Sequence, residues 1–145
     1  MADDTDTRAD GATAKDFFGT VPHATALGLT FGTIEGGTAV MSMPWAERLV
    51  GDPATGVVHG GAVSALMDTC CGAAVMSHPQ MGGPTATLGL RIDYMRPATP
   101  GQTIRAEATC HHVTRTVAFV RAVAMDDDSA RPVATATGTF TVSAA

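Results

Sequence analysis

Apolar and polar positions change period several times along the chain. Residues 85–95 alternate: Ala86, Leu88, Leu90, Ile92 and Tyr94 fall on one side, Thr87, Gly89, Arg91 and Asp93 on the other. That period of two predicts a strand. Residues 103–112 repeat it, with Ile104, Ala106, Ala108 and Cys110 as the apolar row. A third strand is predicted over 116–125, its inward row taken from Val117, Phe119, Val123 and Met125, and a fourth over 132–142, rich in the Thr and Val that suit strands. Upstream, 29–35 and 38–44 flank Gly36-Gly37 and read as a β-hairpin. Residues 15–27 predict a short helix interrupted at Pro22 and ending near Gly28. Trp45 to Val50 reads as a single turn, and 51–57 as a loop.

The run from Val58 to Ser77 has a different character. Ala62, Val63, Ala65, Leu66, Met67, Ala73, Ala74, Val75 and Met76 recur at helical spacing on every side. A helix apolar all round is buried or lies in a membrane. This one is shorter than the roughly 20 apolar residues a span needs and carries Asp68 in its middle. It is therefore expected to be wrapped by the rest of the fold. One long helix with a predominantly antiparallel sheet around it is an α+β arrangement in one domain, 15–145, behind an acidic tail, 1–14, expected to be disordered. A lone carboxylate on such a helix is either a tied-down structural acid or the seat of chemistry.

Composition narrows the possibilities. A formal charge of −5 gives no reason to expect nucleic acid as a partner. The opening segment is acidic and lacks an apolar stretch, unlike a secretory or import signal, and no membrane span follows, so the expected compartment is the cytoplasm. Cys70, Cys71 and Cys110 are read as core thiols, since the first two are neighbours on a helix and the count is odd. Cys110-His111-His112 on a strand points its side chains to alternate faces, so no metal site is expected, and no cofactor.

Three segments, G-V-V-H-G-G-A-V-S-A-L-M-D at 56–68, T-L-G-L-R-I-D-Y-M-R-P-A at 87–98 and A-T-A-T-G-T-F at 134–140, together with P-H-A-T-A-L-G-L at 22–29, carry a likeness. With them the chain resembles the hot-dog-fold acyl-CoA thioesterases, most of all their phenylacetate-degradation (PaaI-type) branch. The resemblance implies a sheet wrapped around the helix and hydrolysis of an acyl-CoA substrate. It implies Asp68 as general base or nucleophile, the backbone N–H of Gly60 as the group polarising the thioester carbonyl, and Thr87 as a hydroxyl that positions water. A helix N-terminus independently suits a developing oxyanion. Gly60 and Asp68 are about 12 Å apart along one helix, too far for one carbonyl carbon to touch both. The resemblance resolves this by pairing subunits, so a homo-oligomer is expected, a dimer or a dimer of dimers, each site taking Gly60 from one chain and Asp68 from the other. His59, Gly61 and Asp52 are expected around the substrate, Asp52 standing where many relatives have an Asn. Arg96 and Arg115 are candidates for the phosphates of coenzyme A, because a guanidinium suits phosphate.

Met41, Met43, Trp45 and residues 79–84 are expected to shape the acyl pocket. Ser64 in H-G-G-A-V-S lacks the G-x-S-x-G elbow of serine esterases. Two alternatives stand beside the thioesterase reading. An enoyl-CoA hydratase of the same fold would pair Asp52 with His59, although their spacing differs from that group's pattern. A non-catalytic acyl-CoA-binding module would leave the carboxylate without a reaction.

Overall fold

A computed structural model of the chain describes residues 11–143. The first ten residues of the acidic tail lie outside them. Helix α1 spans Gly11–Gly19 and α2 spans Pro22–Leu27, so helix begins four positions before the predicted start at Lys15. The break between them follows from Pro22, which cannot donate within a continuing helix but fits a first turn. Gly28 closes α2 at φ 70°, a left-handed cap with backbone bonds to Ala24 and Thr25.

Strands β1 (Thr30–Glu35) and β2 (Thr38–Met43) form the predicted hairpin, with Gly36 and Gly37 both at positive φ. A 3₁₀ turn at Glu47–Leu49 leads into a small two-stranded ribbon, β3 (Val50–Asp52) with β4 (Val57–Val58), where the sequence predicts only loop. Helix α3 covers Gly60–Met76. Then come β5 (Thr87–Tyr94), β6 (Ile104–Val113), β7 (Val117–Met125) and β8 (Ala134–Thr141). The main sheet is antiparallel, in the order β1-β2-β6-β7-β8-β5. It packs against α3 as a hot-dog fold. β5 hydrogen-bonds to β8 on one side only and so forms an edge.

Leu66, Met67, Cys70, Cys71 and Val75 of α3 have no exposed surface, and they meet the inner sheet residues Met41, Met43, Ile104, Ala106, Val120 and Phe140, all similarly buried. Each large side chain so buried contributes about 1.5–3 kcal/mol. The apolar row predicted for β6 is the row that is buried. For β7 the facing is reversed. Ala118, Val120, Ala122 and Ala124 point inward, and Val117, Phe119, Val123 and Met125 lie on the half-exposed outer face. The helix lies so close over β7 that small side chains fill its inner face.

The expectation for α3 also needs correcting. Its sequence looks apolar all round, but one stripe is open: Gly61 is exposed and Ser64, Ala65, Asp68 and Thr69 are half-buried. These positions share a face at helical spacing, and Tyr94 and Thr87 of β5 reach onto it.

At the far end of β5, Asp126 is tied down. Its buried carboxylate accepts from Arg96 Nη1 and Nη2 at 2.8 and 2.7 Å, from Thr99 N and Oγ1 at 2.9 Å each, and from Asp128 N at 3.0 Å. The guanidinium first, then the backbone donors, holds the Asp126 carboxyl well below the usual carboxylate range against the opposing effect of burial. This cluster staples the end of β5 to the turn between β7 and β8.

Candidate functional site

The start of α3 shows why the chain reads H-G-G. His59 is the N-cap, with extended backbone (φ −60°, ψ 135°). Its Nδ1 accepts the Gly61 N–H at 2.8 Å, so Nδ1 is unprotonated there and the imidazole acts as a cap in place of the usual Ser or Asp. A Cβ at position 61 would lie 2.9 Å from that nitrogen, which explains the second glycine. The ribbon supports the cap from behind: His59 N–H donates to Leu49 O at 2.8 Å, and a Cβ on Gly51 would lie 2.7 Å from His59 Cα.

Donors of the first turn can be followed one by one. Gly61 N–H goes to His59 Nδ1, and Ala62 N–H goes to His59 O at 3.0 Å. Gly60 N–H has no acceptor among the described residues. Gly60 lines a groove of about 420 Å³ whose walls also include Val57, Val63, Tyr94, Met95 and Ala98. A Cβ on Gly60 would meet the Tyr94 ring only at 3.5 Å, an ordinary contact, so nothing inside this protomer demands glycine there.

Two turns on, Asp68 is half-buried, and Thr87 Oγ1 donates to its Oδ1 at 2.8 Å. Thr87 thus orients the carboxylate from the neighbouring strand, leaving Oδ2 without a bond among the described residues. Between Gly60 and Asp68 lies Ser64, one turn from each. Tyr94 Oη lies 2.9 Å and Ser64 Oγ 3.2 Å from Gly60 O, and the two hydroxyls are within hydrogen-bond reach of each other; with one proton apiece they make two of these three contacts at a time.

Of the other expected residues, Arg96 stays at the groove that Gly60 lines, while Asp52 and Arg115 are not among its lining. Asp52 is exposed and forms its own turn, accepting from Ala54 N at 3.0 Å and from Thr55 Oγ1 at 2.8 Å. Its carboxylate is bonded within that turn, and His59 Nδ1 is bonded to Gly61; no Asp52–His59 pair of the hydratase type forms. Arg96 binds Asp126 and also donates to Arg131 O at 2.7 Å from Nη2 and 3.0 Å from Nε, so its guanidinium is a structural brace. Arg115 is exposed at the tip of the β6–β7 hairpin, at the Thr87 end of the sheet, with no side-chain bond among the described residues. Met41 and Met43 are fully buried core residues, while Trp45 lines a pocket of about 390 Å³ with Glu47, Val50, Pro53 and Gly56, and its Nε1 donates to Gly56 O at 2.9 Å.

A family model, the thioesterase superfamily, matches residues 55–133, which hold the His59 cap, Gly60, Asp68 and Thr87. The chain belongs to this thioesterase superfamily. A protein of known structure from Pseudomonas aeruginosa is 37% identical over 90% of this chain and 96% of its own, with a TM-score of 0.80. An asparagine-to-aspartate mutant of the phenylacetic acid degradation protein PaaI from Thermus thermophilus is 29% identical over 85% of this chain and all (100%) of its own, with a TM-score of 0.75. The PaaI protein of the E. coli phenylacetic acid degradation operon shares the fold at 22% identity and a TM-score of 0.78, over 90% of each chain. No curated protein matches the chain. The protein is accordingly a thioester hydrolase, similar in fold and sequence to the PaaI protein of Thermus thermophilus. No described helix is long and apolar enough to cross a membrane.

The sequence gives little weight to Tyr94 and Ser64. The signal available was spacing: Gly60, Ser64 and Asp68 follow one another at four-residue intervals, a single helix face, and Tyr94 begins the Y-M-R-P segment.

Proposed function

We propose that this thioesterase hydrolyses acyl-CoA thioesters at sites assembled from two protomers. Gly60 N–H of one protomer donates to the thioester carbonyl oxygen, and Asp68 of the partner subunit, oriented by its Thr87, acts as base or nucleophile. Water oxygen ends on the acyl carbon, the C–S bond breaks, and the thiolate takes up a proton, giving the free acid and coenzyme A. The observation that carries this reading is that Gly60 N–H has no acceptor among the described residues while Gly60 itself lines a mostly apolar groove. A fixed N–H where charge develops is worth roughly 10²–10³ in kcat.

Two protomers are required because Gly60 and Asp68 lie about 12 Å apart along α3. The unpaired edge of β5 and the exposure of Leu88 and Met95 on it favour a homodimer joined along that strand. The half-exposed apolar outer face of β7 favours association of two such dimers. His59 and Gly61 act as scaffold of the donor turn, and Asp52 shapes the loop before it. Of the two arginines considered for the coenzyme phosphates, Arg115 has its guanidinium free among the described residues.

The test uses two inactive variants. Gly60→Pro removes the N–H while suiting the first helical position, and Asp68→Asn removes the carboxylate while keeping an acceptor for Thr87. Each alone should lose at least 100-fold in kcat with an acyl-CoA found by a thiol-release screen across chain lengths and aromatic acyls. Mixed and re-equilibrated, they should regain activity, because one site of each mixed dimer is intact. Without regained activity from verified mixed dimers, the shared site is wrong. An active Asp68→Asn enzyme would exclude Asp68.

A further inference from the structure

We infer that Tyr94 and Ser64 are positioning residues that fix the direction of the Gly60 N–H, an inference that rests on the proposed role of that N–H. Two consecutive glycines give the start of α3 the freest backbone available. An oxyanion donor must be preorganised, since a displacement of about 1 Å can cost roughly 100-fold. Something must therefore hold the H-G-G turn still.

Backbone bonds show what holds it. The peptide between His59 and Gly60, which carries the free N–H, is held at its carbonyl by Ala62 N–H. The next peptide is held at its N–H by His59 Nδ1 and at its carbonyl by Tyr94 Oη, with Ser64 Oγ 3.2 Å from that carbonyl and in contact with the tyrosine hydroxyl. In a regular helix that carbonyl already accepts the N–H four residues on, so the two hydroxyls are additional to what helix formation needs. They also come from two directions, one from α3 itself and one from β5. With one proton on each hydroxyl, Tyr94 donates to Gly60 O over the shorter contact and Ser64 donates to Tyr94 Oη, so Ser64 acts on the carbonyl by fixing the tyrosine hydroxyl. The Tyr94 ring lies against Gly60 and lines the same groove as Gly60. Strand β5 thus sets both parts of the chemistry, through Thr87 on Asp68 and through Tyr94 on the Gly60 turn.

Tyr94→Phe keeps the ring and removes only the tether. It should lower kcat about 10-fold with KM within twofold, Ser64→Ala by less, and the double variant by more than either alone. Ser64→Thr, which keeps the hydroxyl, should restore most of the Ser64→Ala loss. A spectroscopic readout separates positioning from general damage. In an Asp68→Asn background, the best acyl-CoA of the screen, labelled with carbon-13 at its carbonyl, should show a stretch shifted to lower frequency on binding. Adding Tyr94→Phe, or Ser64→Ala should the tyrosine variant fold poorly, should move that band back toward the free thioester. An unchanged band together with kcat within twofold of wild type would overturn the positioning role alone. No downward shift with Tyr94 and Ser64 intact would overturn the role of Gly60 N–H itself.

Discussion

Gly51→Ala is a demanding test, because it touches neither Gly60 nor Asp68. The new Cβ would sit 2.7 Å from His59 Cα, 3.0 Å from its Cβ and 3.1 Å from its N. Apolar atoms rest at about 3.5–4.0 Å, so the two chains must separate by roughly 1 Å. The nearest atom is backbone, so no rotamer change relieves the clash, and the displaced residue is the N-cap whose N–H bonds Leu49 O. Overpacking of this kind costs about 1–3 kcal/mol, or roughly 3–10 °C in melting temperature for a domain of this size. The activity loss should be out of proportion to that. A shift of about 1 Å in the turn that carries the oxyanion donor is worth up to about 100-fold in kcat. Gly19→Ala is the control, since its Cβ would meet nothing within 4 Å, and both its melting and its turnover should match wild type. Thermal melts and thiol-release kinetics on the three proteins decide the matter. A Gly51→Ala enzyme that melts several degrees lower yet turns over normally would refute the link between the ribbon and the donor turn. One that matches wild type in both would mean that β3 does not bear on His59 at all.

Asp126→Asn should lower the melting temperature by on the order of 10 °C at neutral pH, because it leaves Arg96 facing a neutral amide at a buried site. The Asp126 carboxyl is held low in the fold, so its contribution is fully present above the unfolded value of about 3.9 and is lost as the pH falls from there through the folded value. The gap between wild type and variant should therefore close in acid, and a gap constant from pH 7 to pH 2 would contradict the assignment. Burial pushes Cys70 up to about 12 and raises Cys71 and Cys110 as well. None of the three should react with a disulfide reagent at pH 8 until denaturant is added, and rapid native labelling of α3 would show that the helix is not packed as described.

How far the sequence discloses this molecule depends on how many faces each segment buries. β6 alternates small apolar residues with Arg105, Glu107 and Thr109, so its inner face could be read directly. β7 has apolar residues on both faces, and the larger ones, Phe119 and Val123, outweigh alanines that in fact lie beneath the helix. Size suggests the wrong face because close packing selects for small residues, and no rule of period two can reveal that. The site divides similarly. Asp68 stands out because a charge on an apolar helix is conspicuous, whereas Thr87 is reached only through the family resemblance. The bond from His59 Nδ1 to Gly61 and the tethers from Tyr94 and Ser64 depend on side-chain directions that spacing does not fix. Arg96 fails as a phosphate ligand for the same reason: its partner is 30 residues away, in a turn that sequence alone marks only as acidic.

The open stripe on α3 carries the last physical argument. Ser64, Ala65, Asp68 and Thr69 are the half-buried positions of a helix whose other faces are sealed, and they adjoin an edge strand that is exposed along most of its length. In one protomer, water reaches both Asp68 and the groove at Gly60, and a single N–H in water is a weak electrophile. Covering the stripe with a second copy would change the chemistry without altering any bond already described. The local dielectric would fall, the interaction of Gly60 N–H with a developing oxyanion would strengthen, and Asp68 would meet the thioester with fewer competing water contacts. A surface of this kind stabilises the isolated chain poorly and suits a site completed by assembly. Activity that falls on dilution in step with dissociation of the dimer, while helix content is retained, is the behaviour such a site should show.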